Sequence, residues 1–298
     1  MSKPTLLVYS HLRWSFVFQR PQHLLSRLSS RWNVLFVEEP IHTPGTAFLQ
    51  ELEVDEGLRV LVPHTPVQAA GFDDAQHPVI HRLVEDYLAL RRLAVDVAWV
   101  YTPLAQPLVK ALKPICLVYD CMDELSAFRN APAQLRQREA ALMRSAQLVL
   151  TGGPSLYEAR RHQNPQVVCL PSAVDSAHYA PSGLDLLSAA AAEAHRLQGH
   201  LSGPLLGFFG VIDERLDVGL VDRIAVSHPE WSIVMAGPVV KIDPATLPTR
   251  PNIHWLGMQP YGRLPYLLAG WDVALMPFAL NASTRFISPT KTLEYMAG

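Results

Sequence analysis

The chain has 298 residues, 49% hydrophobic and 17% charged, with a formal net charge of −2. That length accommodates two domains of ordinary size, and the apolar content excludes a disordered chain. The near-neutral balance excludes a global attraction to nucleic acid or anionic lipid, so any phosphate must be met by a few placed residues. Three cysteines, Cys116, Cys121 and Cys169, have no CxxC spacing, which argues against a disulfide framework or a zinc site and for a reducing cytoplasm.

Short apolar runs alternate with helical patterns along the chain. The first run, Thr5–Tyr9, suits a strand and is too short for a signal-peptide core. Further predicted strands are Asn33–Val37, Leu58–Val62, Val97–Val100, Ile115–Tyr119, Leu148–Thr151 and Val167–Leu170. They are nearly continuous in hydrophobicity, as strands buried on both faces should be. Helical patterns lie between them at Pro21–Arg31, His77–Ala94, Ala133–Ser145 and Pro154–His162, and this alternation predicts a parallel sheet with helices on both sides. The Arg/Leu pattern of Pro21–Arg31 fits a buried amphipathic helix better than a membrane-surface one. No stretch reaches the ~18 apolar residues of a transmembrane helix, so a soluble protein is expected.

The pattern breaks at an Ala-rich predicted helix, Ser182–Gln198, and a Gly/Pro-punctuated connection, Gly199–Pro204. It restarts with Leu205–Phe209, a helix over Leu216–Ser227, Ser232–Ala236, Ile253–Leu256, a short helix near Leu264–Leu268, and Val273–Met276. A last helix opens at Pro289. Two doubly wound α/β domains are therefore expected, 1–199 and 200–298. The first has about seven strands; the second has about four, ends inside a helix and is read as partial.

Neither domain opens on GxGxxG. The first βα turn is Tyr9-Ser-His-Leu-Arg-Trp14 and the second is Phe209-Gly-Val-Ile-Asp-Glu-Arg215, which disfavours a nicotinamide or flavin enzyme. The most informative stretch is Ser288-Pro-Thr-Lys-Thr-Leu-Glu-Tyr-Met-Ala-Gly298. Ser288 suits an N-cap and Pro289 the first helical position. Lys291 falls in the first turn, against the preference of the helix dipole, and makes sense there if an anion docks at the same N–H groups. Glu294, three residues on, shares its face. The same spacing also fits an ordinary capped surface helix with an i,i+3 salt pair.

This stretch resembles the SP-x-K-x-x-E-Y signature of family-4 glycosyltransferases (glycosyltransferase group 1). Other segments agree in order: Gly207-Phe-Phe-Gly-Val-Ile-Asp-Glu-Arg215, Val234-Met-Ala-Gly-Pro238, Asn252-Ile-His-Trp-Leu-Gly257, Leu264-Pro-Tyr-Leu-Leu268 and Trp271-Asp-Val-Ala-Leu-Met-Pro-Phe278. Val149–Tyr157 and Pro171–Asp175 match the end of the family's acceptor domain more loosely. The resemblance implies a GT-B fold, with two Rossmann-like domains facing a cleft, the first for acceptor and the second for donor. It implies that Lys291 and the helix N-terminus with Ser288 hold the donor pyrophosphate, that Glu294 binds the ribose, and that Gly210 and Gly237 form the donor turns. Two departures stand out. Val211 follows Gly210 where the family commonly has an arginine, so Arg215 is expected to share the phosphate with Lys291. Phe286 stands where the family's first, sugar-contacting glutamate would be.

The acceptor side is read from residues after predicted strands, where open α/β sheets place ligand-binding loops. Asp120, Asp123 and Glu124 follow Tyr119, and Asp120 or Asp123 is a candidate to orient or deprotonate a hydroxyl, with His11 as the other candidate. A solvated, helix-capping loop is the competing reading. Arg13 and Arg20 are candidates to bind an anionic acceptor, or else surface charge. His77, His81, His195 and His200 lack metal-ligand spacing, and no metal site is expected.

The resemblance thus implies an enzyme moving a hexosyl group from an NDP-sugar to a glycan or glycolipid hydroxyl. It implies retention of configuration, no cofactor or metal, and a place in cell-surface polysaccharide synthesis. The expected location is the cytoplasm, where weak peripheral contact with the inner face of the membrane is compatible with such an acceptor; no nucleic-acid partner is expected. A nucleotide-sugar epimerase of the same fold and a non-catalytic nucleotide-sugar binder are the alternatives.

Overall fold

The computed structural model describes residues 3–128 and 131–298. They form two compact units, one up to Pro171 joined by Phe286–Ser288, the other Ser172–Arg285 with Pro289–Gly298. The division falls earlier than the expected 199/200 boundary, because the Ala-rich helix packs on the second unit: Ala194 lies in its core and Gln198 bonds Leu267 and Trp271.

In the first unit the chain runs β1 (Thr5–Tyr9), α1 (Arg20–Leu28), β2 (Asn33–Val37), β3 (Ile41–His42), β4 (Phe48–Asp55), β5 (Leu58–Thr65) and α2 (His77–Arg91). It continues through β6 (Val97–Val100), α3 (Gln106–Leu112), β7 (Cys116–Cys121), α4 (Gln134–Ser145), β8 (Leu148–Thr151), α5 (Pro154–Arg160) and β9 (Val167–Cys169). The described strands form a nine-stranded sheet in the order β3-β5-β2-β1-β6-β7-β8-β9, with β4 antiparallel to β5 and the other pairs parallel. Alternate residues of each strand face opposite layers. Leu7, Tyr9, Leu35 and Val37 join Ile80 and Val84 of α2, Leu108 of α3 and Leu142 of α4 in one core. Leu6, Val8, Val34 and Phe36 join Leu25 of α1 in the other. The strands β3 and β4 and the helix α3 extend the predicted set.

The second unit holds α6 (Ser176–Tyr179), α7 (Ala189–Gln198), β10 (Leu205–Phe209), α8 (Val218–Ser227), β11 (Ser232–Ala236), β12 (Ile253–Gly257), α9 (Leu264–Leu268), β13 (Val273–Ala274) and α10 (Thr290–Ala297). Its four described strands are parallel, in the order β12-β11-β10-β13. Leu206 and Phe208 face Val221 and Ala225 of α8, while Phe209 faces Leu267, Leu268 and Tyr179 on the other side. Burying each such large apolar side chain contributes roughly 1.5–3 kcal/mol, which is what holds these layers together. Among the described residues no helix is long and apolar enough to cross a membrane.

Candidate functional site

In the second unit the residues singled out from the sequence gather at the C-terminal ends of β10 and β11, the ligand-binding edge of a parallel sheet. Gly210 follows β10 with φ +148, and Gly237 follows β11 with φ +156. A Cβ on Gly237 would lie 1.7 Å from the carbonyl oxygen of Gly210, so two backbones meet there and only glycine fits. A Cβ on Gly210 would lie 3.0 Å from Cε of Lys291, whose stem passes over this turn. The lysine ammonium lies 5.3 Å from the Phe209 ring centroid and donates to Oε2 of Glu294 at 3.0 Å. Glu294 is buried at 6% exposure, and its Oε1 accepts from the Tyr179 hydroxyl at 3.2 Å. The N-cap of α10 is Pro289, which supplies no side-chain cap, and Lys291 lies in the first turn beside the helix's leading N–H groups.

Two expectations for this unit change. Ser288 is not the N-cap: Pro289 is, with ψ 116, and the helix starts at Thr290. Proline's fixed φ suits either position, and here its extended ψ makes it the last residue outside the helix. Ser288 instead belongs to the first unit, where a Cβ on Gly153 would come within 2.6 Å of its own Cβ. Arg215 is held by Asp213, which is 2% exposed: Nε lies 2.9 and 3.0 Å from the two carboxylate oxygens and Nη2 lies 2.8 Å from Oδ2. This forked, charge-assisted grip offsets the guanidinium charge, whereas Lys291 has a single hydrogen bond to its carboxylate and lies over the Phe209 ring. Phe286, in place of an acid, packs against the core of the first unit.

In the first unit the expected loop carboxylates are sorted differently. The strand β7 runs on to Cys121, so Asp120 lies inside the sheet in register with Leu150 of β8 and is 0% exposed. Its oxygens each accept from Nε of Arg20 at 3.0 Å, and Nη1 of Arg20 donates to the Leu170 carbonyl at 2.7 Å. Burial pushes the Asp120 pKa up, and the Arg20 guanidinium opposes that shift. Asp120 as acceptor base and Arg20 as acceptor anchor are thereby corrected: a buried pair that ties α1 to β7 and the end of β9 offers neither charge to an acceptor. Arg13 also has a local task, donating to Glu38 Oε2 at 2.9 Å and to the Glu39 carbonyl at 2.6 Å. Glu38, 5% exposed, accepts the Trp14 N–H as well and so folds the loop after β1.

Glu124 pairs with Arg160, which also meets Glu139, and Glu139 accepts from the Tyr119 hydroxyl at 3.0 Å. Carboxylates around it raise the Arg160 pKa against the pull of burial, and burial pushes the Cys121 thiol up. Asp123 and His11 are half-buried and follow β7 and β1, strands separated in the sheet by β6. Sequence reasoning missed Glu38, Asp213, Glu139, Arg160 and Tyr179. The first two follow or flank turn residues, a weak signal; the others carry none, since their partners are remote in sequence. Among the described residues no group of three His, Cys, Asp or Glu side chains is placed to hold a metal ion.

No protein-family model matches the chain. In sequence it is 25% identical over 194 residues to the "Putative teichuronic acid biosynthesis glycosyltransferase TuaH" of Bacillus subtilis (strain 168), a match covering 61% of the chain and 48% of that protein. The chain thus spans about half the length of the curated relative it matches. In structure it is similar to sucrose-phosphate synthase of Thermosynechococcus elongatus, with TM-score 0.66, 13% identity, and 94% of this chain and 77% of that one covered. An E. coli structure described as trehalose-6-phosphate bound with UDP-2-fluoro glucose aligns with TM-score 0.62 and 11% identity over 98% of this chain and 81% of that one. Anabaena HepE in complex with UDP and glucose aligns with TM-score 0.58 and 15% identity over 91% and 73%. The chain has the GT-B fold of these structures and is similar in sequence to a glycosyltransferase.

Proposed function

We propose that the chain is a glycosyltransferase whose second unit binds a UDP-sugar. The observation that carries this reading is the cluster at the end of β10: Lys291 lies over the Gly210 turn, in the first turn of a helix whose N-cap is a proline, with Glu294 on the same face. Dipole, ammonium and N–H groups suit a diphosphate, and a carboxylate beside them suits the hydroxyls of a ribose. The departing nucleotide diphosphate is stabilised by these fixed groups, so no metal is needed, and the protein's main task is to position donor and acceptor. UDP is favoured among nucleotides because solved structures of the same fold hold UDP or UDP-sugars.

The acceptor is a hydroxyl of a glycan or glycolipid, the product keeps the donor's anomeric configuration, and the reaction belongs to cell-surface polysaccharide synthesis in the cytoplasm. Likeness to a teichuronic acid biosynthesis protein supports that placement, and a glycolipid acceptor would draw the chain to the inner face of the membrane. His11 and Asp123 remain the first-unit groups proposed to meet the acceptor hydroxyl. Two measurements test the reading: calorimetric titration with UDP, and transfer of a radiolabelled sugar from UDP-glucose to glycolipid with and without EDTA. Binding and EDTA-resistant transfer are expected. Absence of UDP binding, or transfer that requires added divalent metal, would overturn the donor site or its metal independence respectively.

A further inference from the structure

Glu294 is held from two sides by groups of different character. Lys291 reaches Oε2 across one helical turn and is itself 21% exposed. Tyr179 reaches Oε1 from α6, 115 residues earlier in the chain, and is 1% exposed. The Tyr179 ring stacks on Phe209 at 6.1 Å and meets the Tyr261 ring edge-on at 6.1 Å, so it is packed in place on two sides. Its helix is capped by Asp175. A phenol buried there next to a carboxylate resists ionisation, burial being the larger cause, and so stays a donor.

We infer that Tyr179 is a positioning residue for Glu294, holding its Oε1 so that Oε2 is presented to the ribose diol once Lys291 turns to the diphosphate. The inference rests on the donor reading above. Without nucleotide, Lys291 offsets the Glu294 charge. With nucleotide, the ammonium exchanges the carboxylate for phosphate, and the carboxylate exchanges the ammonium for two hydroxyl donors. The exchange keeps geometry only if something else fixes the carboxylate, and Tyr179 is the group that does. A carboxylate fixed in advance loses less freedom when the diol binds.

The test titrates UDP and 2′,3′-dideoxy-UDP into the wild-type chain, Tyr179→Phe, Glu294→Gln and the double variant. Wild type should prefer UDP. Tyr179→Phe should bind UDP about tenfold more weakly and dideoxy-UDP within about twofold of wild type, the size of one charge-assisted hydrogen bond. Glu294→Gln should lose the preference, and adding Tyr179→Phe to it should cost no more. Equal losses for both nucleotides in Tyr179→Phe, or an undiminished preference, would overturn the positioning role while leaving the donor reading intact. Wild-type protein that binds neither nucleotide would overturn the donor reading and this inference with it.

Discussion

The two units each carry a carboxylate–cation pair with a 3.0 Å contact, and burial separates their roles. Arg20 and Asp120 have side chains 3% and 0% exposed and join elements 100 residues apart. Lys291 and Glu294 sit on one helix, with Lys291 21% exposed. Removing both charges of the first pair from water costs several kcal/mol per ion, so neither partner is exchangeable without a large loss. The second pair keeps its ammonium in contact with solvent, where trading a carboxylate for a phosphate costs little. The same chemistry is architecture in one unit and, in the function proposed above, a binding device in the other.

The largest expected effect breaks the first pair. Asp120→Asn strands the Arg20 charge inside the protein and should cost about 3–5 kcal/mol of stability, measured as a fall in the chemical denaturation midpoint. Arg20→Met combined with Asp120→Asn should cost less than Asp120→Asn alone, because no buried charge is left. A double variant that loses more than the single one would show that the pair contributes by attraction rather than by mutual neutralisation.

Gly237→Ala tests whether the second site is equally intolerant where backbone is concerned. The added methyl would meet the Gly210 carbonyl at 1.7 Å, at a φ of +156 that side chains rarely adopt. A loss of about 1–3 kcal/mol is expected from the strain alone, with UDP affinity falling in parallel as the Gly210 turn shifts. An unchanged midpoint would mean that the two turns part easily, and that the Lys291 stem does not depend on them.

Lys291→Ala should separate stability from binding. Lys291 keeps contact with solvent but Glu294 is buried and would retain only the Tyr179 hydrogen bond, so stability should fall by about 1–2 kcal/mol, well short of Asp120→Asn. UDP affinity should fall about tenfold to a hundredfold, the value of a charge-assisted bond to phosphate. Loss of stability without loss of affinity would make this pair structural, like Arg20–Asp120.

Which parts were legible in the sequence follows the same division. The parallel strands read as apolar runs because both faces are covered, and β10 and β11 were placed to the residue. The strand β4 was missed because much of its Phe48–Asp55 sequence is exposed and acidic, carried on the flank of β5 with Leu49 packed against the first core. Lys291 and Glu294 could be paired from spacing because three residues on a helix share a face. Arg20 and Asp120 could not, since no local spacing links α1 to β7. Asp120 also looked like a loop residue because an aspartate at the end of an apolar run ordinarily marks the strand's end, and only the guanidinium allows the strand to continue past it. Tyr179 is the same case in the second unit: an apolar-facing tyrosine in a one-turn helix gives no hint of a carboxylate 115 residues away.

The smallest expected effect concerns burial acting on a group whose neighbouring charge is mostly of like sign. His77, at the start of α2, has Nε2 at 3.0 and 3.1 Å from the carbonyls of Phe72 and Leu104. Burial, with Arg138 beside it, lowers its pKa, only partly opposed by Asp74 and the two carbonyls. The unfolded chain therefore takes up its proton first as pH falls through about 6.5, where free histidine titrates. More protons on the unfolded state means that stability falls as pH drops from about 6.5 toward the lowered native value, and is fully present above that window. His254 is shifted the same way, by burial first and the His200 charge second, and adds to the same slope. Between pH 7.5 and 5.5, His77→Gln should flatten part of the decline in the denaturation midpoint, by under about 1 kcal/mol, leaving the share owed to His254. If the slope is unchanged in His77→Gln, solvent reaches that imidazole, and burial at the start of α2 does not act on charge as it does at Arg20 and Asp120.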